Sequence, residues 1–434
     1  MYGRNVAIAR HFLLTYAQIF GLIKTMLKTT MKKTNCNKFF ILLGLLFSLV
    51  SCVDPYQLQT SNYEEAIVIE ASITNELKKQ EIKVSKTYRL EDDNGNASIS
   101  DAQVFVTDSD GVQYNFEYDT NSYKSTSDFA ALPEKQYTLT INTSNGKTYK
   151  STPKKLTTVS QIESVIPTVK TNLDGERGVA ITVNSFVDPN NTSKYYRYEY
   201  EETSKVTAPK WRPVYAVVNP DNSGAVGHPF IELFNRTEEA RICYTPNKSN
   251  SIILTNTSDL TEDRVSDFEV KFFRQSDYTI GERYSILVKQ YVESLESYTY
   301  YRILQELSQA GEVLSPTQPG FIAGNLFSVD NPNEKVVGYF NVSSVSEKRM
   351  FFNYTDLFPG EALPPYFDEC QEFEFNYCFD PAPADCDGTR LNGLVLNNAV
   401  IYFEIAGLNY TFIKPICGDC TSFSSNIRPE FWID

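Results

Sequence analysis

Short runs in which apolar and polar residues alternate, each broken by Gly, Asn, Asp or Pro, recur through most of this chain. "AIVIEASIT" (66–74) and "EIKVSKTYRL" (81–90) alternate, and "EDDNGNASISD" interrupts them. "AQVFVTDSDGVQYNFEYD" has the form of a hairpin around Asp108-Ser109-Asp110-Gly111. "YTLTINTSNGKTYKST" has the same form around Asn145-Gly146, where positive φ is cheap. A period of two sets one side-chain face against a core and the other against solvent, which only strands do. Strands at such short spacing predict an immunoglobulin-like sandwich over residues 63–155.

"KKLTTVSQIESV" links this unit to a larger β-rich domain over 156–434. There "GVAITVNSFVDPNNTSKYYRYEYEE" gives two strands around Asp188-Pro189-Asn190-Asn191, and "SIILTNTSDL", "FEVKFF" and "ERYSILVKQYV" continue the pattern. One helix interrupts it, near 295–310. Ser294 can cap it, Gly311 can end it, and Tyr300, Ile303, Leu304 and Leu307 share a face suited to core packing. The expected class is therefore mainly β with one prominent helix. Abundant aromatics agree, with 28 Tyr and 28 Phe.

The amino-terminal region reads differently. Lys32, Lys33 and Lys38 precede the apolar run Phe39 to Val50, a length suited to a signal peptide and short of the about 20 residues a spanning helix needs. Leu49-Val50-Ser51-Cys52 has the form of a bacterial lipobox. Residues 31–51 are thus expected to be a lipoprotein signal, with Met31 the true start and residues 1–30 a false extension. Residues 52–62 would form a tether, acylated at Cys52 by palmitate-like chains. Two or three such chains anchor firmly, at about 0.8 kcal/mol per buried methylene.

The 51 residues ahead of Cys52 hold seven Lys/Arg and no Asp/Glu, leaving 33 basic against 54 acidic residues, net −21. Such a surface repels nucleic acid. Candidate chemistry is sparse. After processing the single histidine is His228, in "GAVGHPFIEL", with no nucleophile or metal motif beside it. Carboxylates are too numerous for any pair to stand out. "DSDG" and "EDDNGN" depart from calcium-loop spacing and make good turns, although calcium binding stays open. No cofactor is called for.

The cysteines say more. Beyond Cys36 and Cys52 there are six: Cys243, Cys370, Cys378, Cys386, Cys417 and Cys420. An even number in an exported chain points to disulfides, with 15 possible connectivities. Cys417-Gly418-Asp419-Cys420 leaves a redox motif or a zinc site as alternatives. Tyr195, Tyr196, Tyr198 and Tyr200 are expected to divide between core and surface. The long loop Thr207 to Pro229, with Trp211, Arg212, Tyr215 and His228, is the expected interaction surface.

Three blocks together resemble a known family. They are the lipobox through "VIEASITNE", "DAQVFVTDSDGVQYNF" and "YTLTINTSNGKTY"; then "VDPNNTSKYYRYEYEE" with "CYTPNKSNSIILTNTSDLTEDRVSDF"; then "YSILVKQYVESLESYTYYRILQELSQAGEVLSPTQPGFIAGNLFSVDNPNEKVVGYF" with "CGDC…RPEFW". In order and spacing these are similar to the bacterial outer-membrane lipoproteins that carry the domain of unknown function 4249. The resemblance implies no enzymatic activity. It implies an accessory protein beside a TonB-dependent transporter barrel, in ligand capture or uptake. The alternatives are an independent glycan- or peptide-binding surface lipoprotein and a carboxylate-dependent hydrolase.

Overall fold

A strand that leaves one core and enters another organises this molecule. The computed structural model describes residues 66–87, 98–186, 193–218, 231–309, 322–376, 387–407 and 409–434. The expected false extension, signal, tether and Cys52 lie outside them, as do "EDDNGN", the turn at 188–191, His228, Gly311, Cys378 and Cys386.

The chain begins with β1 (Ile67–Thr74), β2 (Glu81–Lys86), β3 (Gln103–Asp108), β4 (Gln113–Asp119), β5 (Ser122–Ser125), β6 (Gln136–Asn142), β7 (Thr148–Ser151) and β8 (Lys154–Lys155). Then come β9 (Gln161–Thr171), β10 (Arg177–Phe186), β11 (Tyr195–Thr207), β12 (Val214–Val218), β13 (Ile231–Asn235) and β14 (Ile242–Lys248). β15 (Ile253–Asn256), β16 (Val265–Arg274) and β17 (Arg283–Glu293) lead into α1 (Leu295–Gln309). β18 (Leu326–Ser328), β19 (Val336–Asn353) and the single turn α2 (Tyr354–Leu357) follow. β20 (Glu372–Asn376), α3 (Gly388–Leu396), β21 (Ile401–Ala406), β22 (Asn409–Ile413) and α4 (Pro415–Gly418) close the chain. The protein is mainly β, and the prominent helix stands where the sequence predicts it. Ser294 Oγ accepts from the Ser297 N–H at 3.1 Å, and Tyr300 stacks on Tyr339.

Twelve strands run side by side in the order β14-β11-β17-β19-β1-β2-β5-β4-β3-β6-β7-β18, with β15 joined to β11 and β8 to β6. The far end returns on itself. A bridge joins Ala323 to Val337, and the Asn325 amide group both donates to Phe340 O (2.9 Å) and accepts from its N–H (2.8 Å). Gly338 lies where these backbones converge, at φ +134°, and a Cβ there would sit 2.0 Å from Ile69 O. No residue with a side chain fits. The enclosed core alternates as the sequence does: Ile67, Ile69, Ala71 and Ile73 face in, with Val104, Val106, Leu139 and Ile141 across from them. Strands from both sides of residue 155 build it, because β18 and the first half of β19 complete what β1 to β7 begin.

β19 pairs in parallel with β1 over Val336–Ser343 and antiparallel with β17 over Ser344–Asn353. Its second half therefore belongs to another core, where β11, β17 and β19 pack against the separate sheet β16-β10-β9. Tyr196, Tyr198 and Tyr200 all point into it, while Tyr195 lies on the other face against Tyr298. The segment expected to be a link is stitched down. Thr157 Oγ1 donates to Val292 O at 2.7 Å, and Ser346 Oγ donates to Ser160 O at 2.7 Å.

The "DSDG" turn is held by groups of its own chain. Asp108 Oδ1 accepts from the Asp110 and Val112 N–H groups at 3.0 and 2.9 Å, and Oδ2 meets Lys135 Nζ at 2.6 Å. Burial alone would raise its pKa; Lys135 and those amides outweigh burial and hold the carboxyl below the usual range. A depressed folded-state pKa means stability that is present above the unfolded value, about 3.9, and lost as pH falls through the folded one. Asp108→Asn should thus unfold more readily than the parent at pH 7, and the gap should close below about pH 4. Urea midpoints across that range measure it, and a gap that persists at low pH would refute the charge-based account.

Candidate functional site

A third, smaller core carries the expected interaction loop. The sheet β20-β22-β21 and α3 enclose Leu391, Val395, Tyr402 and Phe412, and the β12–β13 hairpin lies on them with Val214, Ala216, Val218 and Ile231 inward. Trp211 and Arg212 hold the base of this hairpin. Trp211 is half-buried against the cluster of Ala208, Cys243 and Cys420, on which Phe423 also packs. The Arg212 guanidinium lies 4.0 Å from the Phe403 ring, and its Nε donates to Phe403 O at 3.0 Å. Trp211 is spent inside the module, while the Arg212 side chain remains 39% exposed, with its Nη2 3.9 Å from Glu404 Oε2. Tyr215 faces outward, 39% exposed, and it tilts against Phe234 with ring centroids 6.0 Å apart.

Two disulfides staple this region. Cys243 of β14 joins Cys420, and Cys370 joins Cys417. The two cysteines of Cys417-Gly418-Asp419-Cys420 thus bond to distant partners and not to each other, so the motif is no vicinal dithiol. Asp368 lies close to Cys370 and Cys417, a grouping that could resemble a metal site. The sulfurs are already bonded to one another and offer no thiolate. The Asp368 carboxylate instead accepts from Lys414 Nζ at 2.6 Å and from the Cys370 N–H at 2.8 Å. The spacing of the cysteines could not reveal these partners, since the bonded pairs lie 177 and 47 residues apart in the chain.

Two buried charge clusters were not legible in the sequence. In one, Arg197 Nε meets Glu293 Oε1 at 2.8 Å, and Glu293 Oε2 accepts from Ser297 Oγ (2.6 Å) and Asn341 Nδ2 (2.7 Å). The Tyr291 and Tyr301 rings flank the guanidinium at 4.1 and 4.7 Å. In the other, Glu202 accepts from Tyr284 Oη and from Asn247 Nδ2 (2.7 Å), beside Lys271 Nζ at 3.1 Å. Burial and the Glu202 charge push the Tyr284 hydroxyl well above its ordinary pKa. Every carboxylate oxygen named here already has donors, which suits a structural pin better than a proton-transfer group. An open cleft of about 580 Å³, with Lys205, Tyr244, Glu282, Arg283 and Asp434 in its walls, lies where β11, β14, β17 and β19 end.

The hairpin's outer face is the feature that asks for a partner. "VYAVV" is apolar at every position, the pattern of a strand covered on both sides, yet Tyr215, Val217 and Phe234 remain 37 to 44% exposed, with Glu232 opposite Val217 on the same face. The family model described as Domain of unknown function (DUF4249) matches residues 53–349. The chain belongs to that family. No curated protein matches it. The DUF4249 match takes in the hairpin and stops inside β19, so the sheet β20-β22-β21 and the Cys370–Cys417 bridge lie beyond it.

Proposed function

We propose that this DUF4249 protein is a lipid-anchored accessory protein of the outer membrane, working beside a TonB-dependent transporter in ligand capture or uptake. The observation that carries the reading is the bare apolar face of a hairpin that two disulfides and a small core hold rigid. A preorganised surface loses little entropy on docking, and disulfides fit an extracytoplasmic location. The lipobox supplies the anchor. An independent glycan- or peptide-binding role is the second reading, supported by the open cleft beside Tyr244.

Cys52→Ala should release the protein from membranes or leave it unprocessed, and intact-mass analysis of the parent should show a chain beginning at an acylated Cys52. An unmodified residue 52 sinks the anchor. For the partner, the tagged protein is purified gently from its native envelope. A large β-barrel should accompany it, and a Tyr215→Ser, Phe234→Ser double variant should reduce the barrel's yield without lowering lipoprotein abundance. With no barrel, the accessory reading fails; with a barrel that the variant retains, the choice of surface fails.

A further inference from the structure

We infer that the outer face of β3, β6, β7 and β18 is a platform that binds a neutral oligosaccharide. It lies on the sheet of the first core, apart from the hairpin, and stands or falls without the docking reading. Val104, Val106, Leu139, Ile141, Tyr149 and Leu326 point from these strands into the enclosed core. Alternation sends their neighbours outward. On β3 these are Gln103, Phe105 and Thr107, and on β6 Gln136, Thr138, Thr140 and Asn142, with no charge among them. The same surface carries Glu81 and Lys83 on β2 and Glu117 and Asp119 on β4, so the uncharged stretch is local. The registers set Phe105 opposite Thr140, Thr140 opposite Lys150 and Lys150 opposite Phe327, one row across four strands. Three strand spacings, roughly 14 Å, separate the two phenylalanines, and Phe327 is 45% exposed.

Beside this row lies an open cavity of about 360 Å³, with Phe105, Thr107, Thr138, Thr140, Gln136 and Lys150 in its wall. Among the described residues, those three threonine hydroxyls, the Gln136 amide group and the Lys150 ammonium have no partner within the chain. The Asp108 carboxylate, also in the wall, is spent on Lys135 and its own turn. This chemistry selects the occupant. A pyranose offers an apolar C–H face to an aromatic ring, and a rim of hydroxyls that donate and accept toward hydroxyl, amide and ammonium groups. A peptide strand would find no free edge, since β3, β6 and β7 each have neighbours on both sides. Lipid would bury the hydroxyls without partners. A polyanion would meet a chain of net charge −14, with the Lys150 ammonium alone to receive it in the cavity.

The test screens the full chain, in detergent, against an array of neutral glucan, xylan, mannan and galactan oligosaccharides and of polyuronates, and measures retained sugars by calorimetry. At least one neutral oligosaccharide should bind. Phe327→Ala and Thr138→Val should each lower its affinity at least tenfold, and Phe327→Trp should keep it. Valine preserves the branched shape of threonine and removes only the hydroxyl's hydrogen bonds. A thermal midpoint unchanged from the parent's checks the fold, and Thr107→Val replaces Thr138→Val where that check fails. The Tyr215→Ser, Phe234→Ser variant should bind the sugar as the parent does. A parent that retains no neutral oligosaccharide, or polyuronates alone, overturns the inference. So does an affinity that the folded Phe327→Ala and threonine variants leave unchanged, or one that the hairpin variant abolishes. Sugar binding by a parent that brings down no barrel upholds this site and removes the accessory role alone.

Discussion

Arg197→Met should destabilise the fold by about 3–5 kcal/mol, the cost of leaving a buried charge without its partner. Arg197 is 7% exposed and Glu293 is fully buried. With the cation gone, the Glu293 carboxylate keeps only Ser297 and Asn341 as donors, and neither carries charge. The Tyr291 and Tyr301 rings also lose the guanidinium between them. Methionine fills similar volume, so the loss should come from charge and not from a cavity. Adding Glu293→Gln should recover much of it, because the fully buried carboxylate is then neutral, while Glu199, the half-exposed second partner of Arg197, keeps water and the Tyr291 hydroxyl. Urea midpoints of the parent, each single variant and the double variant decide this. A double variant no better than the singles would mean that packing, not ion pairing, sets the cost.

Cys420→Ser should cost nearly as much, by a different route. The Cys243–Cys420 bridge closes a separation of 177 residues, for which loop entropy gives about 5 kcal/mol at the upper end of what disulfides contribute; the 47-residue Cys370–Cys417 bridge gives about 4. The chain holds two tryptophans. Trp211 leans on the first bridge, while Trp432 packs on Tyr244 and Phe351. Loss of the bridge should loosen Trp211 first, giving a red-shifted fluorescence component at a denaturant concentration where the main sheets still hold. Non-reducing peptide mapping of the parent should recover both cross-linked pairs. A single cooperative transition in Cys420→Ser, at the parent's midpoint, would falsify this account.

Local pattern made much of this legible. The hairpins at Asp108–Gly111 and Asn145–Gly146 and the helix after Ser294 could be read because each is decided within a few residues, by turn chemistry or a cap. The tyrosine run was half legible: alternation put Tyr196, Tyr198 and Tyr200 on one face but could not say that this face was the core. The division of β19 between two neighbours left no mark, because its buried Asn341, Ser343, Ser344 and Ser346 look like surface residues until their partners are known. The surroundings of Trp211 and Arg212 were hidden for a related reason. Their types suit interfaces, and part of what they touch is their own chain: Trp211 packs on Ala208, Cys243 and Cys420, and Arg212 lies over Phe403. Tyr215 and Phe234 carry the outward face, and the signal for it was the unbroken apolar run of β12.

The parallel pairing of β1 with β19 also sets a timetable. Ile67 waits for Val336, and Asn75 accepts from the Val345 N–H across 270 residues. At synthesis rates of about 5–20 residues per second, roughly 15–50 s separate the appearance of the two partners. Meanwhile β2 to β7 can assemble through neighbouring hairpins, but β1 has only β2 beside it and shows an apolar edge. Such late, long-range closure is slow and prone to aggregation. A chain that closes so late would profit from an escort that holds this edge in the meantime, and the first described strand to emerge would be among the last to be sealed.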